Sequence, residues 1–131
     1  MRLGGVALAA GPFAALPPDA FGLCLDAGAP NRADAALALD IPDYGLPDPA
    51  ALRAALDALK AAMAAEPDRL FYIGCRAGLG RSGTVLACLA AELGVAGDPV
   101  AWVRRHHDPR AVETPAQEDF ARAWAVQPRP R

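Results

Sequence analysis

The sequence predicts an α/β domain in three layers, with a central, mostly parallel sheet of four or five strands flanked by helices. Two observations carry this prediction. Short apolar runs with turn formers between them fill the first third of the chain and return once, at Leu70–Ile73. Longer amphipathic segments precede and follow that last run. Parallel strands need long crossovers, usually helices, so this alternation is typical of a parallel sheet.

Composition limits the classes of protein to consider. The 131 residues suffice for a core, and we interpret residues 1–131 as a single domain, which we expect to be a monomer. A net charge of −2 provides no basic surface for nucleic acid. There is no apolar run of the roughly 18 residues that a membrane span requires. Three cysteines without metal-type spacing predict free thiols in a reducing, cytoplasmic setting.

Three strands are expected early in the chain. We interpret Leu3–Ala9 as a first strand rather than a signal peptide, because it is short and continues directly into a proline-rich segment. Phe21–Leu25 is predicted to be a buried strand that ends in a cluster of turn formers. Ala36–Ile41 is a third candidate. The segment 42–49 has three prolines, which predict an ordered loop.

Three helices are predicted to begin where a capping residue precedes a proline. The pairs are Asp48–Pro49, Asp98–Pro99 and Thr114–Pro115. The first helix should extend to about Ala65, and the second should end near residues 108–109. In the third, Gln117 follows Thr114 at capping-box spacing. We expect the tail 127–131 to be frayed.

A thiol, glycines and an arginine lie between a strand and a helix in the segment 70–94. The strand Leu70–Ile73 precedes the loop CRAGLGRS, and a helix follows that ends at Gly94. Glycines permit the positive φ angles that let backbone N–H groups converge on one anion. The helix start adds unpaired N–H groups and the positive end of a dipole. Together these features predict a phosphate-binding loop, with a purely structural turn as the alternative.

Three side chains give this loop a possible chemistry. Arg81 offers a planar pair of donors to two phosphate oxygens. Cys75 would lie beneath the phosphorus, where positive surroundings stabilise a thiolate that can form a phosphocysteine. Ser82 can donate to the sulfur when it leaves. The backbone groups expected to bind the phosphoryl oxygens belong to Arg76, Ala77, Gly78, Leu79 and Gly80.

Other chemistries fit the segment less well. A nucleotide-binding loop of the type GxxxxGK needs a lysine where Thr84 stands. A CxxC redox pair is absent because the nearest other thiol is Cys88. His106 and His107 are adjacent and point in different directions on a helix, so we interpret them as solvated or rim residues. We therefore expect no metal site and no cofactor.

These residues resemble the signature of the cysteine-dependent protein tyrosine phosphatase superfamily, specifically its small dual-specificity phosphatase-like members. That signature is Cys, any five residues, Arg, then Ser or Thr, as at Cys75, Arg81 and Ser82. The stretch IPDYG (41–45) is similar to the family's general-acid loop, and ETPAQE (113–118) to a segment that faces the active site. The resemblance implies the family's fold and a metal-independent hydrolysis of phosphomonoesters through a phosphocysteine.

One position departs from the family pattern. The family usually has a histidine immediately before the cysteine, which helps to hold the loop and the thiolate, and this chain has Gly74. The departure leaves a non-catalytic phospho-binding module as an alternative to an enzyme.

Three aspartates compete for the role of the general acid. We interpret Asp48 as a helix cap and Asp40 as structural. Asp43 lies in the proline-rich loop, and the family resemblance assigns the acid to it, with a turn-forming role as the alternative. Gln117 either closes the capping box or helps to place the hydrolytic water.

The substrate class follows less directly from the sequence. The resemblance implies phosphotyrosine or phosphoserine/threonine in proteins, bound in a shallow site. Arg76 could favour a multiply charged substrate, as in similar inositol-lipid phosphatases, or be simply solvated. A phosphoinositide or small-molecule phosphatase is therefore the alternative. Cys24 and Cys88 are expected to be core thiols, with a disulfide to an oxidised Cys75 as the other possibility.

Overall fold

Five strands form one sheet in the computed structural model, which describes residues 1–127. In chain order they are β1 (Arg2–Leu3), β2 (Val6–Pro12), β3 (Phe21–Cys24), β4 (Leu37–Ala38) and β5 (Leu70–Cys75). Their order across the sheet is β1-β2-β5-β3-β4. Strand β1 is antiparallel to β2, and all other neighbours are parallel. The prediction of a mostly parallel α/β sheet flanked by helices is confirmed.

Four α-helices occur in the described part of the chain, and all but one start at a predicted cap. They are α1 (Pro49–Ala65), α2 (Gly80–Glu92), α3 (Pro99–His106) and α4 (Pro115–Ala125), with 3₁₀ turns at Phe13–Ala15 and Arg32–Asp34. Asp48, Asp98 and Thr114 each accept a hydrogen bond from a backbone N–H of the first turn, which confirms these caps. A frayed tail was predicted for residues 127–131, and residues 128–131 of it lie outside the described part of the chain.

Two strand predictions were wrong in their boundaries. The expected strand Leu3–Ala9 is a hairpin, because Gly4 and Gly5 have φ angles of +59° and +78° and reverse the chain between β1 and β2. Strand β2 then continues to Pro12, since it pairs with the whole of β5. Strand β4 covers two residues of the predicted Ala36–Ile41, because its partner β3 ends at Cys24.

Alternate residues of the strands belong to two apolar clusters. Phe71 and Ile73 of β5 join the larger cluster, to which all four α-helices contribute. Tyr72 points to the other face, where it packs with Cys24 and Phe13 in a smaller cluster. The 3₁₀ turn that carries Phe13 thus covers the face of the sheet that the larger cluster leaves open.

Helix α2 is the most deeply placed helix, since every residue from Gly80 to Ala91 is buried. It follows β5 directly, and β5 lies between β2 and β3. The loop between β5 and α2 therefore opens at the carboxyl edge of three parallel strands, which is where α/β sheets usually bind ligands. Within residues 1–127, none of the helices has the length and apolarity that crossing a membrane requires.

Candidate active site

Cys75 ends strand β5 and is almost enclosed, with 4% of its surface exposed. Its Sγ accepts a hydrogen bond from the backbone N–H of Gly78 at 3.2 Å. Gly78 has a φ of +77°, and a Cβ there would lie 2.2 Å from the Cα of Gly11 in β2. Both the backbone angle and the close approach of β2 therefore require glycine at this position. The loop curls back on its own thiol, as a cradle for an anion would.

Gly74 is required by the packing of the 3₁₀ turn against the sheet. A Cβ at this position would lie 2.7 Å from the Cα of Phe13 and 2.9 Å from its Cβ. Phe13 is fully buried, and its carbonyl accepts a hydrogen bond from Asn31 Nδ2 at 2.9 Å. The space that a histidine before the cysteine would occupy is filled, so the departure from the family pattern has a steric cause.

Arg81 brings three separate parts of the chain together. It is buried, and its Nη1 donates to the carbonyl of Ile41 at 2.9 Å. Its guanidinium also lies 3.5 Å from Asp43 Oδ1 and 3.7 Å from Asp26 Oδ1. Two carboxylates and the start of the proline-rich loop therefore surround the arginine that opens helix α2.

Asp43 is the one of the three competing aspartates that faces Arg81. Its side chain is half exposed, and Oδ1 also accepts from the N–H of Tyr44, whose φ is +57°. Asp48 caps helix α1, with Oδ2 accepting from Ala51 N at 2.9 Å. Asp40 forms a two-pronged ion pair with Arg32. The two competitors thus have structural partners of their own.

Gln117 links helix α4 to the loop that carries Asp43. The side chain is fully buried and completes the capping box with Thr114, as predicted. Its Oε1 accepts from the N–H groups of Glu113 and Thr114 at 2.9 and 3.2 Å. Its Nε2 donates to the carbonyl of Gly45 at 3.2 Å. The water-placing role proposed for Gln117 stays a prediction.

Ser82 carries a hydroxyl that is not satisfied within the described residues. The residue is fully buried, and Oγ has no hydrogen-bond partner there. A buried hydroxyl without a hydrogen-bond partner costs about 1–3 kcal/mol of stability, so buried hydroxyls usually have one. Ser82 directly follows Arg81, which places this free donor at the start of helix α2.

Two clefts flank the loop, and both are lined by Asp26, Gly28 and Arg76. The larger, about 380 Å³, extends to Asp43 and Arg81. The smaller, about 220 Å³, reaches Cys75. Arg76 is exposed and borders both clefts.

Asp26 is a residue of this site that the sequence indicated only as one of the turn formers after the predicted strand Phe21–Leu25. It follows β3, and its side chain lies near Arg81 at the wall of both clefts. The available signal was its position directly after a strand that was expected to be parallel to β5, because the carboxyl ends of parallel strands share one edge.

The two adjacent histidines have different surroundings. His106 is exposed, stacks on Trp102 and bonds through Nδ1 to the Trp102 carbonyl within its own helix. His107 is half buried, and its Nε2 lies 2.7 Å from the carbonyl oxygen of Gly78. His107 is thus at the rim of the loop, but with a contact to the loop backbone that adjacency in the sequence did not indicate.

Burial raises the pKa of three groups in the two apolar clusters. Burial, and then the charge of Cys75, raise the pKa of Tyr72, whose hydroxyl donates to the Pro12 carbonyl at 2.8 Å. Burial also raises the pKa of Cys24 and of Cys88. All three cysteines are free and buried, which confirms that Cys24 and Cys88 are core thiols.

Comparison with known proteins identifies a family and several similar folds. Residues 28–128 match the family described as the Swiss Army Knife protein DSP-PTPase phosphatase domain, PTP-SAK. An uncharacterized protein of Methanocaldococcus jannaschii is 36% identical over 84 residues, which are 64% of this chain and 51% of that protein. The chain therefore spans about half the length of this curated relative.

Solved phosphatase structures share the fold. Kinase associated phosphatase, with its catalytic-site cysteine replaced by serine, has a TM-score of 0.69 at 21% identity, over 83% of this chain and 72% of that one. A mutant form of Tk-PTP has a TM-score of 0.70 at 26% identity, over 82% and 77%. The active form of Tk-PTP has a TM-score of 0.67 at 22% identity, over 92% and 90%.

Proposed function

This chain belongs to the DSP-PTPase phosphatase domain family, as a small dual-specificity phosphatase-like member of the cysteine-dependent protein tyrosine phosphatase superfamily, and from that premise we propose its mechanism. It is a metal-independent phosphomonoesterase that acts through a phosphocysteine intermediate. The observation that carries the proposal is the meeting of Asp43 with Arg81 beside the loop that encloses Cys75.

In the first step, the thiolate of Cys75 attacks phosphorus and the bond from phosphorus to the ester oxygen breaks. The protonated carboxyl of Asp43 gives its proton to the departing oxygen. Arg81 and the loop amides bind the three remaining phosphoryl oxygens, whose charge they neutralise in the transition state. The side chain of Asp43 is half exposed, so its carboxyl is open to a substrate bound beside Arg81.

In the second step, water attacks the phosphocysteine and the bond from sulfur to phosphorus breaks. The carboxylate of Asp43 accepts a proton from that water, which restores its acid form. The leaving group is the thiolate of Cys75, and a hydrogen bond from Ser82 Oγ stabilises it. The missing partner of Ser82 in the described residues supports this role.

Phosphorylated side chains of proteins are the proposed substrates, and the two clefts beside the loop, of about 380 and 220 Å³, would admit them. Inositol lipids or small phosphomonoesters are a second candidate. That candidate is favoured by the exposed Arg76, which borders both clefts and forms no ion pair within residues 1–127. Rates on phosphotyrosine peptides and on phosphoinositides, measured under one set of conditions, separate the two.

Hydrolysis of p-nitrophenyl phosphate in the presence of EDTA tests the proposed function. We expect the wild type to turn over and Cys75→Ser to be inactive. Trapping of a phosphorylated protein after rapid acid quench would identify the intermediate. If wild type and Cys75→Ser are equally inactive while both bind tungstate, the chain is a phospho-binding module and the enzyme proposal is wrong.

A further inference from the structure

We propose that His107 is a positioning residue of the phosphate-binding loop, which acts through the backbone of Gly78. The proposal rests on the proposed function of this loop and extends it to a residue outside the signature. The ring Nε2 lies 2.7 Å from the Gly78 carbonyl oxygen. A carbonyl accepts hydrogen bonds, so Nε2 carries the proton and donates.

The direction of this hydrogen bond determines where the next amide points. In a trans peptide the C=O of one residue and the N–H of the next point in opposite directions. The described residues contain no cis peptide. Because His107 holds the carbonyl of Gly78 on the outer side of the loop, the N–H of Leu79 faces the inner side. That is the side on which a phosphoryl oxygen would bind.

Gly78 is also fixed by its hydrogen bond to the candidate nucleophile, Cys75. The N–H of Gly78 donates to Cys75 Sγ at 3.2 Å while its carbonyl accepts from His107. Gly78 has a left-handed backbone, and glycine is the most flexible residue, so fixing both of its polar groups removes alternative conformations. His107 therefore stabilises the contact between the loop and the thiolate as well as the inward amide.

A second contact from the same segment has the same effect one residue later. The carbonyl of Leu79 accepts from Val112 N at 3.1 Å, in addition to the helical bond from Gly83 N at 3.0 Å. By the same geometry, the N–H of Gly80 points inward. Two consecutive loop carbonyls are thus bound on the outside by the connection between α3 and α4.

That connection is itself braced. Arg104 donates through Nε to the carbonyl of Ala111 at 3.0 Å and through Nη2 to that of Val112 at 2.9 Å. Arg104 also pairs with Glu118 of helix α4 at 2.7 Å. His107, the C-cap residue directly after helix α3, therefore approaches the loop from a fixed support.

The test compares His107→Ala, His107→Gln and His106→Ala in the full chain. The Nε2 of glutamine can reach where the Nε2 of histidine lies, so His107→Gln keeps the donor and His107→Ala removes it. His106→Ala is the matched control, because among residues 1–127 His106 bonds only within its own helix. Three quantities are measured at one pH: the dissociation constant of tungstate, the alkylation rate of Cys75 by iodoacetamide, and kcat and KM for p-nitrophenyl phosphate. Thermal unfolding is recorded for each variant.

We expect His107→Ala to weaken tungstate binding and to lower kcat/KM by about three- to tenfold, as the loss of one hydrogen bond predicts. Alkylation of Cys75 should slow by a similar factor, and His107→Gln should restore most of each loss. His106→Ala should behave as wild type. Equal losses in His107→Ala and His107→Gln, wild-type binding by His107→Ala, or an equal loss in His106→Ala would each overturn the proposal.

Failure of the proposed function gives a different pattern. A wild type that binds tungstate without hydrolysing any phosphomonoester would remove the enzymatic role, and the binding ratios among the three variants would still decide the role of His107. A wild type that does not bind tungstate overturns the positioning role.

Discussion

Asp43 Oδ1 lies 3.5 Å from Arg81 Nη2, so the candidate general acid and the candidate phosphate-binding cation are paired with each other. The pair joins the proline-rich loop to the start of helix α2, and the hydrogen bond from Arg81 to the Ile41 carbonyl holds the same loop two residues earlier. An anion in the loop would compete with Asp43 for Arg81. The freed carboxyl is then beside the substrate, where a general acid has to be.

Replacement of the candidate acid should affect substrates according to their leaving group. We expect Asp43→Asn to lower kcat/KM, which reports the first chemical step, by about 10²- to 10⁴-fold on phenyl phosphate, whose leaving oxygen needs a proton. The loss of kcat/KM should be much smaller on p-nitrophenyl phosphate, and tungstate binding should persist. Asp40→Asn and Asp48→Asn are the controls. If either of them shows the leaving-group dependence and Asp43→Asn does not, the acid is assigned to the wrong residue.

Removal of the Ser82 hydroxyl, which has no hydrogen-bond partner within residues 1–127, should slow the second chemical step. Ser82→Ala should lower kcat by about ten- to a hundredfold, because a hydrogen bond to the departing thiolate is a bond to a charged group. Stopped-flow measurement should then show a burst of nitrophenol equal to the enzyme concentration, followed by slow turnover. An unchanged kcat without a burst would assign Ser82 a packing role.

Thr114 and Gln117, the two residues of the capping box, should differ in their effect on kcat. Thr114→Ala and Gln117→Ala each remove part of the cap of helix α4 and should lower the free energy of unfolding by about 1 kcal/mol or more. Only Gln117 also donates to Gly45 in the loop of Asp43. Gln117→Ala should therefore lower kcat more than Thr114→Ala does. Equal kcat values in the two variants would show that the link to Gly45 does not matter for catalysis.

A side chain at position 74 should destabilise the fold. Gly74→Ala places a Cβ within 2.7 Å of the Phe13 backbone, and such overpacking costs about 1–3 kcal/mol. Gly28→Ala is the matched control, because a Cβ there has only ordinary contact with Asp26 at 3.5 Å. Urea unfolding measures both variants. If Gly74→Ala is as stable as Gly28→Ala, the turn at Phe13 shifts to accommodate the added methyl group at little cost in free energy.

The buried carboxylate of Glu92 should make stability depend on pH. Burial acts to raise its pKa, but hydrogen bonds from Lys60 and Trp124 and the nearby charges of Lys60 and Arg53 outweigh it, so the pKa is lowered. A lowered pKa means stability that is present above the unfolded-state pKa, near 4.5, and lost as pH falls through the folded-state value. The free energy of unfolding of Glu92→Gln should therefore fall less steeply than that of wild type below about pH 5.

Glu92→Gln should also lower the free energy of unfolding at neutral pH. Glu92 bonds to Lys60 Nζ at 2.6 Å, to Trp124 Nε1 at 2.6 Å and to Arg53, so it ties α1 and α4 to α2. Removal of one partner from a buried ion pair costs about 3 kcal/mol or more. Asp57→Asn, at an exposed member of the same charge group, should cost well under 1 kcal/mol. Similar losses in the two variants would contradict this account.

Secondary-structure boundaries that depend only on residues adjacent in the sequence could be predicted. The helix starts at Pro49, Pro99 and Pro115 follow from a cap and a proline placed side by side, and α1 ends at the predicted Ala65. Strand ends were less predictable, because they depend on a partner strand. The hairpin at Gly4 and Gly5 and the short β4 are consequences of pairing, which no local pattern contains.

The sequence by itself determined the loop from Cys75 to Ser82 and its chemical possibilities, because a thiol, glycines, an arginine and a helix start are contiguous there. Only the tertiary structure decided which distant groups meet that loop. Parallel pairing of β3 with β5 brings Asp26 to Arg81, and the connection after α3 brings His107 to Gly78. Such contacts depend on distances between elements, and residues far apart in the chain acquire those distances only when the elements pack together.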